Sequence, residues 1–137
     1  MFVPNHLHLI VRAHVNKPPE SEKDLNDWLE ELVGLVGMKV VAGPTSVYVH
    51  DEGNEGVTGT ITLATSHASI HVWDHRKPSL VQFDIYSCKD YSIDTVLNHL
   101  NKFKTDSHEW LFIDRNDGIR IVSHGKWESP NRELRFE

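Results

Sequence analysis

The chain has 137 residues, of which 39% are hydrophobic and 25% charged, so it predicts one folded domain over residues 1–137 and excludes a disordered chain. Fourteen lysines and arginines against twenty acids give a net charge of −6, which argues against a nucleic-acid partner because phosphate binding needs clustered cations. No apolar run is long enough to span a bilayer and no export signal is present, so we expect a cytoplasmic protein without membrane contact.

The first third of the chain predicts a strand, a helix and two short strands. Apolar and polar residues alternate over residues 6–15, the period of a half-buried strand, and two prolines end it. Ser21 and Asp24 resemble a capping box, and apolar residues at helical spacing predict an amphipathic helix over residues 22–36, closed by Gly37. Residues 38–42 and 45–50 predict two short strands separated by Gly43-Pro44.

The rest of the chain is rich in predicted strands. A polar loop over residues 51–56 precedes β-rich segments at residues 57–64, 67–73 and 80–86. A second amphipathic helix is predicted over residues 92–103, and a hairpin turn at Asn116-Asp117-Gly118 joins strands at residues 110–113 and 119–122. The tail after Ser123 is polar, and we expect it to be loosely held.

These elements predict an α+β fold. The expected architecture is a two-layer sandwich, with helices packed on one face of an antiparallel β-sheet of six or seven strands. The other face of such a sheet also needs a cover, and a dimer partner is the simplest one.

The residues suited to chemistry lie between Gly56 and Cys88. Ser66 stands at a tight junction between two predicted strands, and one face of the second strand carries His67, Ser69, His71 and Trp73. A hydroxyl near imidazoles and a lone thiol has the parts for nucleophilic and acid–base catalysis. Simpler interpretations stay open here: a surface turn at Ser66, a buried small side chain at Cys88, and a packing role for Trp73.

The ten histidines favour a different hypothesis, a metal site. His8 would share the outer face of the first strand with His6 and His14, and His67 would share a face of the later strand with His71. No Asp or Glu lies at matching spacing on these strands, and the single cysteine cannot anchor a cysteine-rich zinc site. The sequence therefore predicts no metal at the site, and a histidine-rich metal protein stays open as an alternative that elemental analysis for zinc or iron would test.

Three segments of the chain share one pattern. They read Gly56-Val57-Thr58-Gly59, then Thr65-Ser66-His67-Ala68-Ser69-Ile70-His71-Val72-Trp73, then Phe83-Asp84-Ile85-Tyr86-Ser87-Cys88. In order and spacing the pattern resembles the short prokaryotic S-adenosylmethionine decarboxylase proenzymes, which carry G-V-S-G, then E/K-S-H-x-x-I-H-T-W-P-E, then D-x-[FY]-[TS]-C-G. The chain differs from that pattern at Asp74-His75, which replaces Pro-Glu, and at Lys89, which replaces the last glycine.

The resemblance implies that Ser66 is a self-processing serine. Its hydroxyl attacks the carbonyl of Thr65, an acyl shift gives an ester, and β-elimination breaks the chain. Residues 1–65 become the β chain and residues 66–137 the α chain, whose first residue becomes a pyruvoyl group. In this family the pyruvoyl ketone forms a Schiff base with the substrate amine and acts as an electron sink.

Further site residues are implied by the same resemblance. His71 assists the elimination, Thr58 supports processing where the family has a serine, and Cys88 returns a proton to the substrate carbon. Asp74 and Trp73 are expected at the substrate. The implied activity is decarboxylation of S-adenosylmethionine for spermidine biosynthesis, in a homodimer of αβ protomers.

Two other functions stay open at this point. The changed Asp74-His75 pair favours the same pyruvoyl chemistry on another amino acid, such as ornithine or arginine. Alternatively, the chain stays uncut and acts as a binding or regulatory partner of an active subunit.

Overall fold

The computed structural model describes residues 5–130, and seven strands and two helices form in this part of the chain. The strands are β1 (Leu7–Val15), β2 (Val40–Val49), β3 (Gly56–Leu63), β4 (Ser66–Trp73), β5 (Ser79–Ser87), β6 (Thr105–Asp114) and β7 (Arg120–Glu128). The helices are α1 (Glu22–Val36) and α2 (Ile93–Leu100), and the short 3-10 helix Asn101–Phe103 follows α2. Neither α1 nor α2 is long and apolar enough to cross a lipid bilayer.

All seven strands form one antiparallel sheet in the order β2-β3-β4-β5-β1-β6-β7. Both helices pack their apolar sides against one face of this sheet, and the buried residues form a single hydrophobic core. In β1, Leu9, Val11 and Ala13 are buried on that face, whereas Ile10 on the opposite face is 39% exposed. The two-layer α+β fold expected from the sequence is confirmed, and the sheet has one face that neither helix covers.

Helix α1 begins and ends where the sequence predicts. The Ser21 hydroxyl accepts a hydrogen bond from the Asp24 N–H at 3.0 Å, which satisfies one of the free donors of the first turn. Gly37 ends the helix with a left-handed φ of 68°, a conformation that glycine adopts without strain. The buried stripe of the helix is Leu25, Trp28, Leu29, Leu32, Val33 and Val36.

Two expectations are wrong, and two predicted bounds also differ, since α2 ends at Leu100 and β6 begins at Thr105. The segment around Gly43-Pro44 is one strand and not two, because β2 is an edge strand that pairs only with β3, so proline breaks no second ladder. Register shifts on both sides of Ala42 absorb the irregularity. The tail after Ser123 is also ordered as far as Glu128, because β7 pairs along β6 and Trp127 stacks on His108 at 5.5 Å. Residues 131–137 of that tail lie outside the described residues.

Candidate active site

The turn between β3 and β4 holds an unfavourable backbone conformation directly before Ser66. Thr65 has a φ of 55°, a left-handed conformation that costs an L-residue about 1–2 kcal/mol and is rare for a β-branched one. Ser66, the first residue of β4, is only 7% exposed. The peptide bond between these two residues therefore lies in a strained turn, next to a hydroxyl that is held inside the protein.

Cys88 contacts both residues of this bond. It follows the end of β5, and its backbone N–H donates a hydrogen bond to Ser66 Oγ at 3.1 Å. Its Sγ lies 3.8 Å from Ser66 Oγ and 2.6 Å from Thr65 Oγ1. The structure thus brings together three of the residues singled out in the sequence, and we call Thr65, Ser66 and Cys88 the junction group.

Thr58 and His71 form a second group on β3 and β4. They are directly paired across the two strands, and Thr58 Oγ1 lies 3.1 Å from His71 Nδ1 in a hydrogen bond. His71 follows Ser66 by five residues on the same strand, which corresponds to about 17 Å. An odd spacing also turns their side chains to opposite faces of the sheet. One chain therefore does not bring His71 and Thr58 to Ser66.

Trp73 and Asp74 lie still further along, at the far end of β4. The Trp73 indole N–H donates to Asn54 Oδ1 at 3.1 Å, and both carboxylate oxygens of Asp74 lie 2.9 Å from the Tyr48 hydroxyl. This hydrogen bond to Asp74 is the main reason that the pKa of Tyr48 is raised above its ordinary value. Asp74 lines an open cleft together with Glu20, Tyr48, His50, Glu55 and His75. We call Thr58, His71, Trp73 and Asp74 together the distal group.

A further cluster was missed by reasoning from the sequence alone. The carboxylate of Asp84 lies between His8 and His67 on the uncovered face of the sheet. No acid lies at matching spacing on the two histidine strands, and Asp84 is instead on β5, between β1 and β4. Strand alternation places Asp84 on a face of β5, yet which strands flank β5 is decided by the topology and not by local sequence.

Comparison with known proteins agrees with the segment pattern. A family model described as S-adenosylmethionine decarboxylase matches residues 8–116, a range that includes both the junction group and the distal group. An S-adenosylmethionine decarboxylase proenzyme from Hydrogenobaculum sp. is 33% identical over 128 residues, which cover 88% of this chain and 87% of the relative.

Two archaeal relatives with the same name match over shorter regions. The protein from Archaeoglobus fulgidus is 40% identical over 62 residues, or 44% of this chain and 54% of the relative. The one from Methanococcus vannielii is 36% identical over 87 residues, or 59% of this chain and 68% of the relative.

Proposed function

The chain belongs to the S-adenosylmethionine decarboxylase family, and we propose that it cuts itself between Thr65 and Ser66 and then decarboxylates S-adenosylmethionine in the cytoplasm, as a step of polyamine biosynthesis. The family expected from the sequence is confirmed, and it is a family of enzymes whose relatives are named as proenzymes. The observation that carries the cleavage proposal is the junction group, in which a strained residue, a buried hydroxyl and a thiol meet at one peptide bond.

The cleavage chemistry starts from Ser66. Its Oγ attacks the Thr65 carbonyl carbon, the C–N bond breaks, and the hydroxyl proton ends on the freed amine. The hydrogen bond from the Cys88 N–H at 3.1 Å holds this oxygen in place, and the left-handed conformation of Thr65 raises the energy of the uncut state. Loss of the Ser66 α-proton then expels Thr65 as a carboxylate, and water replaces the remaining nitrogen, which leaves as ammonia.

These steps would convert Ser66 itself into a pyruvoyl group at the start of the second fragment. The group supplies a ketone that draws off the electron pair left when CO₂ departs. Cys88 lies beside this position, with Sγ 3.8 Å from the Ser66 oxygen, so its thiol is placed to return a proton to the substrate carbon.

A homodimer of αβ protomers would complete the site. The distal group carries His71 and Thr58, which support the elimination, but in one chain it lies about 17 Å from Ser66 along β4. A two-fold axis that lies between the two sheets, over the middle of β4, would place the partner's His71 over the Ser66 end of this strand, and the reverse. The uncovered face of the sheet, on which Ile10 is exposed, is the surface available for such a contact.

This arrangement is tested by mixing two inactive variants. A Ser66→Ala chain cannot be cut but keeps His71, and a His71→Ala chain keeps Ser66. We expect each variant alone to stay intact, and the His71→Ala chain to be cut when the two are co-expressed with different tags. His75→Ala is the matched control, since His75 is an exposed histidine of the same region, and it should be cut normally. Efficient cutting of His71→Ala alone, or no cutting in the mixture, would contradict the proposed dimer.

The substrate is tested separately by release of CO₂. The cut protein is supplied with S-adenosylmethionine, ornithine or arginine, and we expect release from S-adenosylmethionine only. Release from ornithine or arginine in its place would assign the enzyme to another amino acid. A chain that stays uncut and releases no CO₂ would favour a binding or regulatory role.

A further inference from the structure

A cluster of two histidines and one aspartate lies on the uncovered face of the sheet, and none of the three side chains has a part in the mechanism above. We propose that His8, His67 and Asp84 form a binding site for a divalent transition-metal ion, with Zn²⁺ as the best match. The site is independent of self-cleavage, since all three residues occupy their positions in the uncut chain.

The strand order brings the three side chains together. β5 lies between β1 and β4, and both His8 and His67 are paired in register with Tyr86 of β5. Asp84 precedes Tyr86 by two residues and so lies on the same face. Asp84 Oδ2 is 2.8 Å from His8 Nε2 and 3.6 Å from His67 Nε2, and the three ligand atoms all lie within 4.8 Å of one another.

This spacing suits a tetrahedral ion. With metal–ligand bonds of about 2.0–2.2 Å, the ligand atoms of a tetrahedral site are about 3.4 Å apart. The two measured distances lie on either side of that value, so small side-chain rotations would close the site. Two imidazoles and one carboxylate are the protein ligands of open zinc sites, which keep the fourth position for water or substrate. The His67 side chain is 51% exposed in the single chain, which leaves space for a fourth ligand beside it.

Neighbouring side chains fix the orientation of the three ligands. The Ser69 hydroxyl donates a hydrogen bond to Asp84 Oδ1, so the other oxygen stays directed at the histidines. The Tyr86 ring packs against both histidine rings, 6.1 Å from the His8 ring and 5.7 Å from the His67 ring. Supporting contacts of this kind are typical of metal sites, where they orient the ligands.

The charge of Asp84 also suits a cation. Imidazole nitrogens and carboxylate oxygens are ligands that bind Zn²⁺, and the ionised carboxylate is the form that binds metal. A bound ion would tie β1, β4 and β5 together at the residue directly after Ser66.

Calorimetric titration of Zn²⁺ into metal-free protein tests the site. The protein carries Ser66→Ala, so that the result does not depend on cleavage, and the variants are Asp84→Asn and His67→Gln. We expect one ion per chain and a loss of affinity of at least about 10-fold in either variant, since even outer-shell changes cost that much. His75→Gln is the matched control, because His75 also lies near two carboxylates, those of Glu55 and Asp74, and its affinity should match that of the parent.

Binding of Co²⁺ gives a second readout on the same proteins. We expect the visible absorption of a four-coordinate cobalt ion in the parent and in His75→Gln, and its loss in Asp84→Asn and His67→Gln. If Asp84→Asn does not fold, His67→Gln carries the test, because that side chain is half exposed. Failure of the parent to bind one ion per chain would overturn the proposal, as would unchanged affinity in both variants. Neither result would bear on self-cleavage.

Discussion

Replacing Thr65 by glycine should slow self-cleavage. Thr65 holds a left-handed φ of 55°, and the resulting strain of about 1–2 kcal/mol raises the energy of the uncut chain next to the bond that breaks. Glycine adopts the same conformation without strain, so the uncut state of Thr65→Gly is lower in energy by that amount. If the strain is released in the transition state, the cleavage rate falls by about 5- to 30-fold, since about 1.4 kcal/mol corresponds to a factor of ten.

The rate can be followed by intact mass during cell-free synthesis of the chain. Thr65→Val is the control, because it keeps the branched side chain and loses the hydroxyl that lies 2.6 Å from Cys88 Sγ; we expect it to be cut faster than Thr65→Gly. In the uncut Ser66→Ala background, glycine should also raise the free energy of unfolding by up to about 1 kcal/mol, because its greater freedom in the unfolded chain offsets part of the relieved strain. Cleavage of Thr65→Gly at the wild-type rate would refute the role of backbone strain.

Three further predictions follow from other parts of the structure. Gly56→Ala should lower the free energy of unfolding by more than about 2 kcal/mol in denaturant titrations, because a Cβ would lie 1.8 Å from the Val72 carbonyl oxygen; a smaller loss would contradict that contact. Burial lowers the pKa of His99 despite its hydrogen bond to Trp28, so the unfolded chain takes up more protons and stability should fall as the pH drops below about 6.5. His99→Gln should weaken this dependence in thermal melts at several pH values, and an unchanged slope would contradict it. Cys88→Ala keeps the N–H that holds the serine and should still be cut, whereas CO₂ release falls at least about 100-fold; full activity would exclude the thiol as proton donor.

Most of the fold could be predicted because local patterns agree with the final packing. The alternation in β1 and the cap at Ser21 each require one conformation, and the structure adopts both. The wrong expectations concern segments whose structure depends on their place in the sheet. Gly43-Pro44 is tolerated within one strand only because β2 is an edge strand. Residues 124–128 are ordered because β6 offers them an unpaired edge.

The site could be predicted only in part. The segment pattern identified Ser66, Cys88 and Thr65, and the structure places these three in contact. Spacing along β4 places Ser66 and His71 far apart in one chain, a separation that residue types alone do not reveal. The cluster around Asp84 could not be predicted, because its three residues come from three strands that are neighbours only in the folded sheet.

The mass of the larger fragment tests the central claim most directly. The account predicts that purified protein separates into residues 1–65 and residues 66–137, and that the second fragment is lighter by one ammonia than a peptide that begins with serine. Treatment with borohydride should then add two hydrogen atoms to that fragment, because its first residue carries a ketone. An uncut chain after long incubation, or a fragment that begins with an intact serine, would contradict the account.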